Sequence, residues 1–248
     1  MLRLHLIIYI VIAVQSAFAQ NKVAADSLYR QEKYEEAAKM YESILSKQGE
    51  AADIYYNLGN CYYKTDNIPY AIVNYERALL LDPSDDDIRT NLEFARSKTT
   101  DKVTPVSEMF FITWWKNITN SMSYTSWTIL AIISFLLMLA GILAYMFLHN
   151  ITTRKVGAYG AIVLLIFTIL ANLFAYSQYQ RLTQRNTAIV IAPAANVKSS
   201  PNESSTDLFI VHEGSKVEIL DSSMQGWREV KFEEGKQGWL PTNTLEII

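Results

Sequence analysis

Few side chains in this chain of 248 residues are of a kind that does chemistry, and they do not gather. The three histidines fall in different segments: His5 in an apolar leader, His149 in a turn between two apolar stretches, His212 in a β-rich tail. They share no site. The single cysteine, Cys61, has no cation or histidine beside it in sequence, so it reads as a small buried hydrophobe rather than a nucleophile, and it cannot form an internal disulfide. The acidic run Asp82, Asp85, Asp86 and Asp87 lacks the glycine and the distal glutamate of a calcium loop and reads as a turn that caps the next helix. No phosphate loop, metal-spaced cluster or nucleophile motif is found. The expectation is a chain that is not an enzyme, with no catalytic residue, no metal and no cofactor. A net charge of −3 without a Lys/Arg run argues against nucleic acid as the partner.

If the chain binds rather than catalyses, the elements that present its surfaces matter most. Between residues 20 and 100 the sequence repeats at a period of about 34. Tyr34, Ala37, Tyr41 and Ile44 align with Ile68, Ala71, Tyr75 and Ala78. The second unit adds Tyr55, Leu58, Gly59, Tyr62 and Pro83, and this pattern resembles the tetratricopeptide (TPR) repeat. Gly59 and Ala71 allow two helices to approach, the aromatics fill the groove between them, and Pro83 ends the second helix. The first unit is degenerate, with Ala25 at the glycine position and Gly49 where the proline would stand. A third first-helix, Asp87 to Lys98, carries Asn91 and Leu92 in register and caps the stack.

Positions that face the concave groove in TPR proteins fall here on Tyr56, Asn60, Tyr63 and Lys64, with Asn57 and Asn91 at the frequent asparagine position. The resemblance implies that they bind a peptide or a partner helix, the amides bonding an extended backbone and the tyrosines offering flat apolar area. The alternative for Asn57 and Asn91 is that they brace the helix pair.

Met1 to Gln20 has a basic start, an apolar stretch and the small-x-small pattern Ala17-Phe18-Ala19, which reads as a signal peptide over residues 1–19. An uncleaved anchor is the alternative; no cysteine at the cleavage site invites lipidation. Residues 127–148 and 156–176 contain no charge and reach the roughly 20 residues that cross a bilayer. The intervening turn, 149–155, holds Arg154 and Lys155, which places it in the cytoplasm and both soluble ends outside. Within the juxtamembrane segment 101–126, Met109 to Trp115 reads as an interfacial aromatic helix, or as a docking surface for a membrane partner. Asn172 either reaches water or hydrogen-bonds the first span.

Residues 187–248 change to short β-rich segments: Thr187–Ala192, Asp207–Gly214, Ser215–Ser223, Gly226–Gly235 and Lys236–Ile248. Glu233 to Lys236 reads as a hairpin turn with Gly235 at positive φ. Asn196-Val197-Lys198-Ser199-Ser200-Pro201, His212-Glu213-Gly214 and Gly238-Trp239-Leu240 are similar to motifs of bacterial SH3 (SH3b) domains, which implies a small all-β barrel that binds peptides or peptidoglycan. Trp227 and Trp239 are the candidate ligand platform, with core or rim packing as the plainer reading, and His212 reads as an exposed strand-end residue.

The expected architecture is therefore a multidomain membrane protein: an α-helical TPR solenoid, a two-helix transmembrane hairpin and an SH3-like barrel. This order, with the Asn91–Arg96 cap and the aromatic juxtamembrane segment, resembles BatE-type TPR proteins of Bacteroidetes aerotolerance operons. That resemblance implies an inner-membrane scaffold whose TPR and SH3b domains are periplasmic, beside von Willebrand A domain membrane proteins and a MoxR-type ATPase. An envelope sensor that binds peptidoglycan through the SH3b domain is the alternative.

Overall fold

The computed structural model describes residues 21–101 and 109–248, so the leader lies outside the described residues. The chain forms two units: the first joins the helical array to the C-terminal sheet, and the second holds the two long apolar helices with the short aromatic helix before them.

The array consists of α1 (21–30), α2 (Tyr34–Gln48), α3 (Ala52–Lys64), α4 (Ile68–Leu81) and α5 (Asp86–Ser97). Its core is the repeat read back in three dimensions: Ala37, Tyr41 and Ile44, and Ala71, Tyr75 and Ala78, are all buried. The turns repeat too. Glu32 and Asp66, one period apart, take left-handed φ of 62° and 58°. The next residues, Lys33 and Asn67, return their N–H groups to Leu28 O and Tyr62 O at 3.0 and 2.9 Å. The acidic run behaves as a cap: Asp85 Oδ1 accepts from the N–H groups of Asp87 and Ile88 at 2.9 and 3.1 Å. Ala25, at the first repeat's glycine position, is fully buried.

Seven strands follow, two more than the five expected: β1 (Thr187–Val190), β2 (Ala194–Lys198), β3 (Asp207–His212), β4 (Lys216–Asp221), β5 (Trp227–Phe232), β6 (Gln237–Pro241) and β7 (Leu245–Ile247). They form one open antiparallel sheet in the order β3-β2-β6-β5-β4-β1-β7. β2 lies in the stretch read as a motif, and a 3₁₀ turn at Thr242–Thr244 splits the last segment. Val217 faces Phe232 and Ile219 faces Val230, the expected alternation, and Gly235 has φ 87°. Gly238 is small for a reason: a Cβ there would sit 2.4 Å from Val197 Cγ1.

The second unit contains α6 (Phe110–Thr119), α7 (Tyr124–Phe147) and α8 (Ile151–Gln184), and α7 and α8 are each long and apolar enough to cross a membrane. The non-helical link is only 148–150, so Arg154 and Lys155 belong to the start of α8 and not to a seven-residue loop. Arg154 Nε bonds Tyr145 O at 3.0 Å and its guanidinium lies over the Tyr145 ring. The helices meet through glycine, since a Cβ on Gly157 would stand 2.7 Å from Gly141 O, and through Ser134 and Thr168, whose hydroxyls are 2.8 Å apart. Asn172 does not reach the other helix; its amide donates to Thr168 O of its own helix at 2.9 Å. α6 is held by carbonyl capture: Gln178 Nε2 donates to Thr119 O and Met122 O, and Trp127 Nε1 to Thr119 O. Trp115 and Trp127 both pack on Phe174 at 4.8 Å.

A Cβ on Gly59 would lie 2.7 Å from Tyr75 Cδ1 and Cε1. Gly59→Val therefore overpacks the α3–α4 contact and costs about 1–3 kcal/mol, which a lower thermal midpoint of the purified chain, followed by helical circular dichroism, will show.

Candidate functional site

The expected groove residues lie along α3 and α5. Two equivalent polar junctions, one period apart, tie the first helices of successive repeats together. In the first, Asp26 Oδ1 accepts from Tyr41 OH at 2.5 Å and from Asn57 Nδ2 at 3.5 Å. In the second, Asn60 Oδ1 accepts from Tyr75 OH at 2.7 Å and from Asn91 Nδ2 at 3.1 Å. Asn91 Nδ2 also donates to Tyr56 OH at 2.9 Å. Asp26 and Asn60, Tyr41 and Tyr75, and Asn57 and Asn91 are the same repeat positions. Asn57 and Asn91 thus brace adjacent repeats. Asp26 was missed from sequence, although its distance of one period from Asn60 is the signal that finds it. Burial, with Asp26 next to it, pushes the Tyr41 hydroxyl far above its ordinary value, so it remains a donor.

Among the described residues these bonds consume Asn60 Oδ1 and Asn91 Nδ2 and leave the Asn60 amide N–H pair and the Asn91 carbonyl on half-buried side chains: one donor group and one acceptor, the complement of a peptide unit. Tyr63 carries Lys98 over its ring at 4.2 Å, and Lys98 in turn pairs with Asp66 at 3.5 Å; Lys64 is exposed. Cys61 is fully buried, and burial pushes its thiol up to about 12, which leaves no thiolate at neutral pH.

On the sheet, Trp227 stands opposite Pro241 and Trp239 opposite Glu229, so the two indoles are diagonal neighbours on one face. Both are half-buried and outside the core formed by Val190, Val197, Val217, Val230 and Leu240.

The sheet and the array are not independent modules. α4 is buried on almost every side, and it includes Glu76, only 6% exposed. Glu76 accepts from Arg96 of α5 and, at 2.7 Å, from Lys216 at the start of β4. Its neighbour Arg77 bonds Glu246 at 2.6 Å and Ile247 O on β7. Asp101 receives the His212 N–H at 2.8 Å and Ser215 Oγ at 3.1 Å, and pairs with His212 Nδ1 at 2.8 Å. His212 is therefore half-buried and bonded, not an exposed strand end. Gly214, at φ 85°, fits against Ile72 and Thr99, where a Cβ would lie 3.0 Å from Ile72 Cδ1. No sequence motif announced this joint.

Burial alone would raise the Glu76 carboxyl, but Lys216 and Arg96 outweigh it and hold it below its ordinary value of 4.5. Burial likewise pushes Asp101 up, and the bonds from His212 and Ser215 bring it below 3.8. A depressed carboxylate stabilises the fold above its unfolded value and loses that contribution as pH falls through its folded value. The joint is thus fully held at neutral pH and weakens below those values. Glu76→Gln costs about 1.5–3 kcal/mol at neutral pH and flattens the acid limb of thermal stability below the ordinary value of 4.5; an acid limb as steep as that of the unaltered chain would show that Glu76 is not its source.

Residues 52–85 match the family model for the tetratricopeptide repeat. Over 70 residues the chain is 29% identical to "Tetratricopeptide repeat protein 16" of Macaca fascicularis and to the protein of the same name from Homo sapiens, a match covering 28% of this chain. The chain spans 8% of the length of these curated relatives. A TPR repeat is present at α3 and α4, and TPR repeats generally mediate protein–protein interactions.

Proposed function

We propose that this chain is a non-enzymatic, membrane-anchored scaffold that holds an extended segment of a protein partner in the groove of α3 and α5. The observation that carries the reading is the junction at Asn60: among the described residues its internal bonds leave one donor group on Asn60 and one acceptor on Asn91, on α3 and α5, the first of which also carries Tyr56 and Tyr63. A peptide backbone needs both, and the tyrosines supply apolar area with little rotamer entropy to lose.

The anchor in this reading is the α7–α8 hairpin, supported by the exposure of its large apolar side chains, among them Leu136, Leu143, Val163 and Ile166, at 54–64% against a bilayer's need for apolar surface. Arg154 and Lys155 at its link favour a cytoplasmic turn. The array and the C-terminal sheet then lie in the periplasm, and the sheet acts as an SH3-like barrel of the SH3b kind. The BatE resemblance adds von Willebrand A domain membrane proteins and a MoxR-type ATPase as partners in an aerotolerance system. A second reading, an envelope sensor that binds peptidoglycan, has one observation in its favour: Trp227 and Trp239 share a face outside the core.

Photo-crosslinking residues placed at Tyr56 and Tyr63 in living cells should capture one defined protein, and Asn60→Ala should reduce that capture at least about tenfold, the worth of one buried hydrogen-bonding group, without loss of membrane insertion. Equal capture in the Asn60→Ala chain would rule the groove out. Reporter fusions at Thr153 and Ser204 should give cytoplasmic and periplasmic signals respectively; the same signal from both would overturn the hairpin. Capture of wall fragments from Trp227, lost in Trp227→Ala, would favour the sensor.

A further inference from the structure

The sheet stops at β3, and that edge does not open on plain solvent. β3 and β4 follow one another through a short turn yet do not pair. Beside the unpaired edge is a cavity of about 350 Å³ bordered by Phe209, Ile210 and Val211 of β3, by Phe232 of β5 and by the Glu233–Lys236 turn. Side chains alternate across a strand, so three consecutive residues border one space only through the strand's edge, with its backbone turned toward the space.

His212 sets the phase of that edge, because its N–H is taken by Asp101 and not by β2. Residues two apart in an antiparallel strand point their backbone groups the same way, and His212 faces Ala194 as Ile210 faces Asn196. The Ile210 N–H and C=O therefore point away from β2, and among the described residues no strand pairs with them. Its side chain is 59% exposed, which gives a neighbouring strand an apolar partner on that face. Phe209 and Phe232 meet edge to face at 5.2 Å as an apolar floor.

The rim has a sign. Lys216 is engaged with Glu76, and Lys236 with Glu234 at 2.8 Å and over the Phe209 ring at 5.5 Å. Among the described residues Glu233 has no ion-pair partner. Long exposed edges with apolar side chains are sites where further strands add, and native proteins usually blunt them. Among the described residues this edge is blunted at its two ends, by Asp101 at His212 and by the register shift before Phe209, and is open at Ile210.

We propose that the β3 edge is a strand-addition site for an extended segment of a partner polypeptide, in which β-branched apolar residues alternate with polar ones and a Lys or Arg meets Glu233. Main-chain bonds to Ile210 supply affinity, the aromatic floor takes an apolar side chain, and Glu233 selects the base. The site lies apart from the α3–α5 groove, and either can fail without the other.

The test uses the full chain in detergent and a fluorescein-labelled, amidated hexapeptide, Thr-Val-Lys-Val-Thr-Val, beside its Glu-for-Lys counterpart. Anisotropy should show saturable binding of the Lys peptide, and the counterpart should bind about tenfold more weakly. Hydrogen exchange across Asp207–His212 should slow when the Lys peptide is bound. Ile210→Pro should abolish binding while the thermal midpoint holds, since that N–H is not part of the β2 ladder. If Ile210→Pro lowers the midpoint, Glu233→Lys decides, and it should reverse the preference between the two peptides. No saturable binding, unchanged exchange over Asp207–His212 with peptide bound, or an unchanged preference in Glu233→Lys would each overturn the proposal.

Discussion

The first unit depends on what is done with one buried negative charge. Glu76 sits in the middle of α4, and an uncompensated carboxylate there would cost several kcal/mol. Arg96 compensates it from within the array and Lys216 from the first residue of β4. Either cation alone leaves lone pairs unused. The carboxylate thus joins two consecutive helices to a strand 140 positions away, and Arg77 and Asp101 extend the same joint toward β7 and the β3–β4 turn. The lone helix α5 is the array's cap in sequence, yet the sheet also covers α4, giving that helix the all-round burial that an end helix would lack.

The second unit follows a different rule. Its helices have little polar chemistry with which to recognise each other, so approach depends on small residues and on the few polar groups available. Gly141 and Gly157 bring backbones close, and one hydroxyl pair crosses between helices. At the other end, Gln178 and Trp127 take up the carbonyls that close α6. The aromatic helix is therefore fixed by its C-terminal end, while Phe110, Phe111 and Trp114 remain largely exposed.

Patterns of period and type were legible in the sequence. The 34-residue spacing gave the helices of the array, the Asp85 cap and the buried tyrosines, because each rests on contacts within one or two repeats. Apolar length gave α7 and α8, and alternation gave most of the sheet. What escaped was non-local. β2 is short and pairs with β3 and β6, so its strand character lies in its partners rather than in its own residues. The Glu76–Lys216 bond spans 140 positions, and the contact of Asp101 with His212 spans 111. Neither residue type nor neighbouring context marks such pairs. For the groove, sequence located the asparagines but not their internal bonds, and so could not tell which of their atoms remained for a partner.

The two polar junctions of the array also say something about its length. Each is closed by an asparagine from the following repeat, so the second repeat both completes the rung below and offers one above. At the next equivalent position stands Phe94, which has no acceptor to offer, and the ladder ends there. Residues 52–85 behave as a self-matching link: a duplicated copy inserted after itself would find an amide below and present one above. The amide rungs can be repeated by duplication as they stand, but an inner copy's Glu76 would lose Arg96 and Lys216, so each added repeat also needs a new cation for that carboxylate.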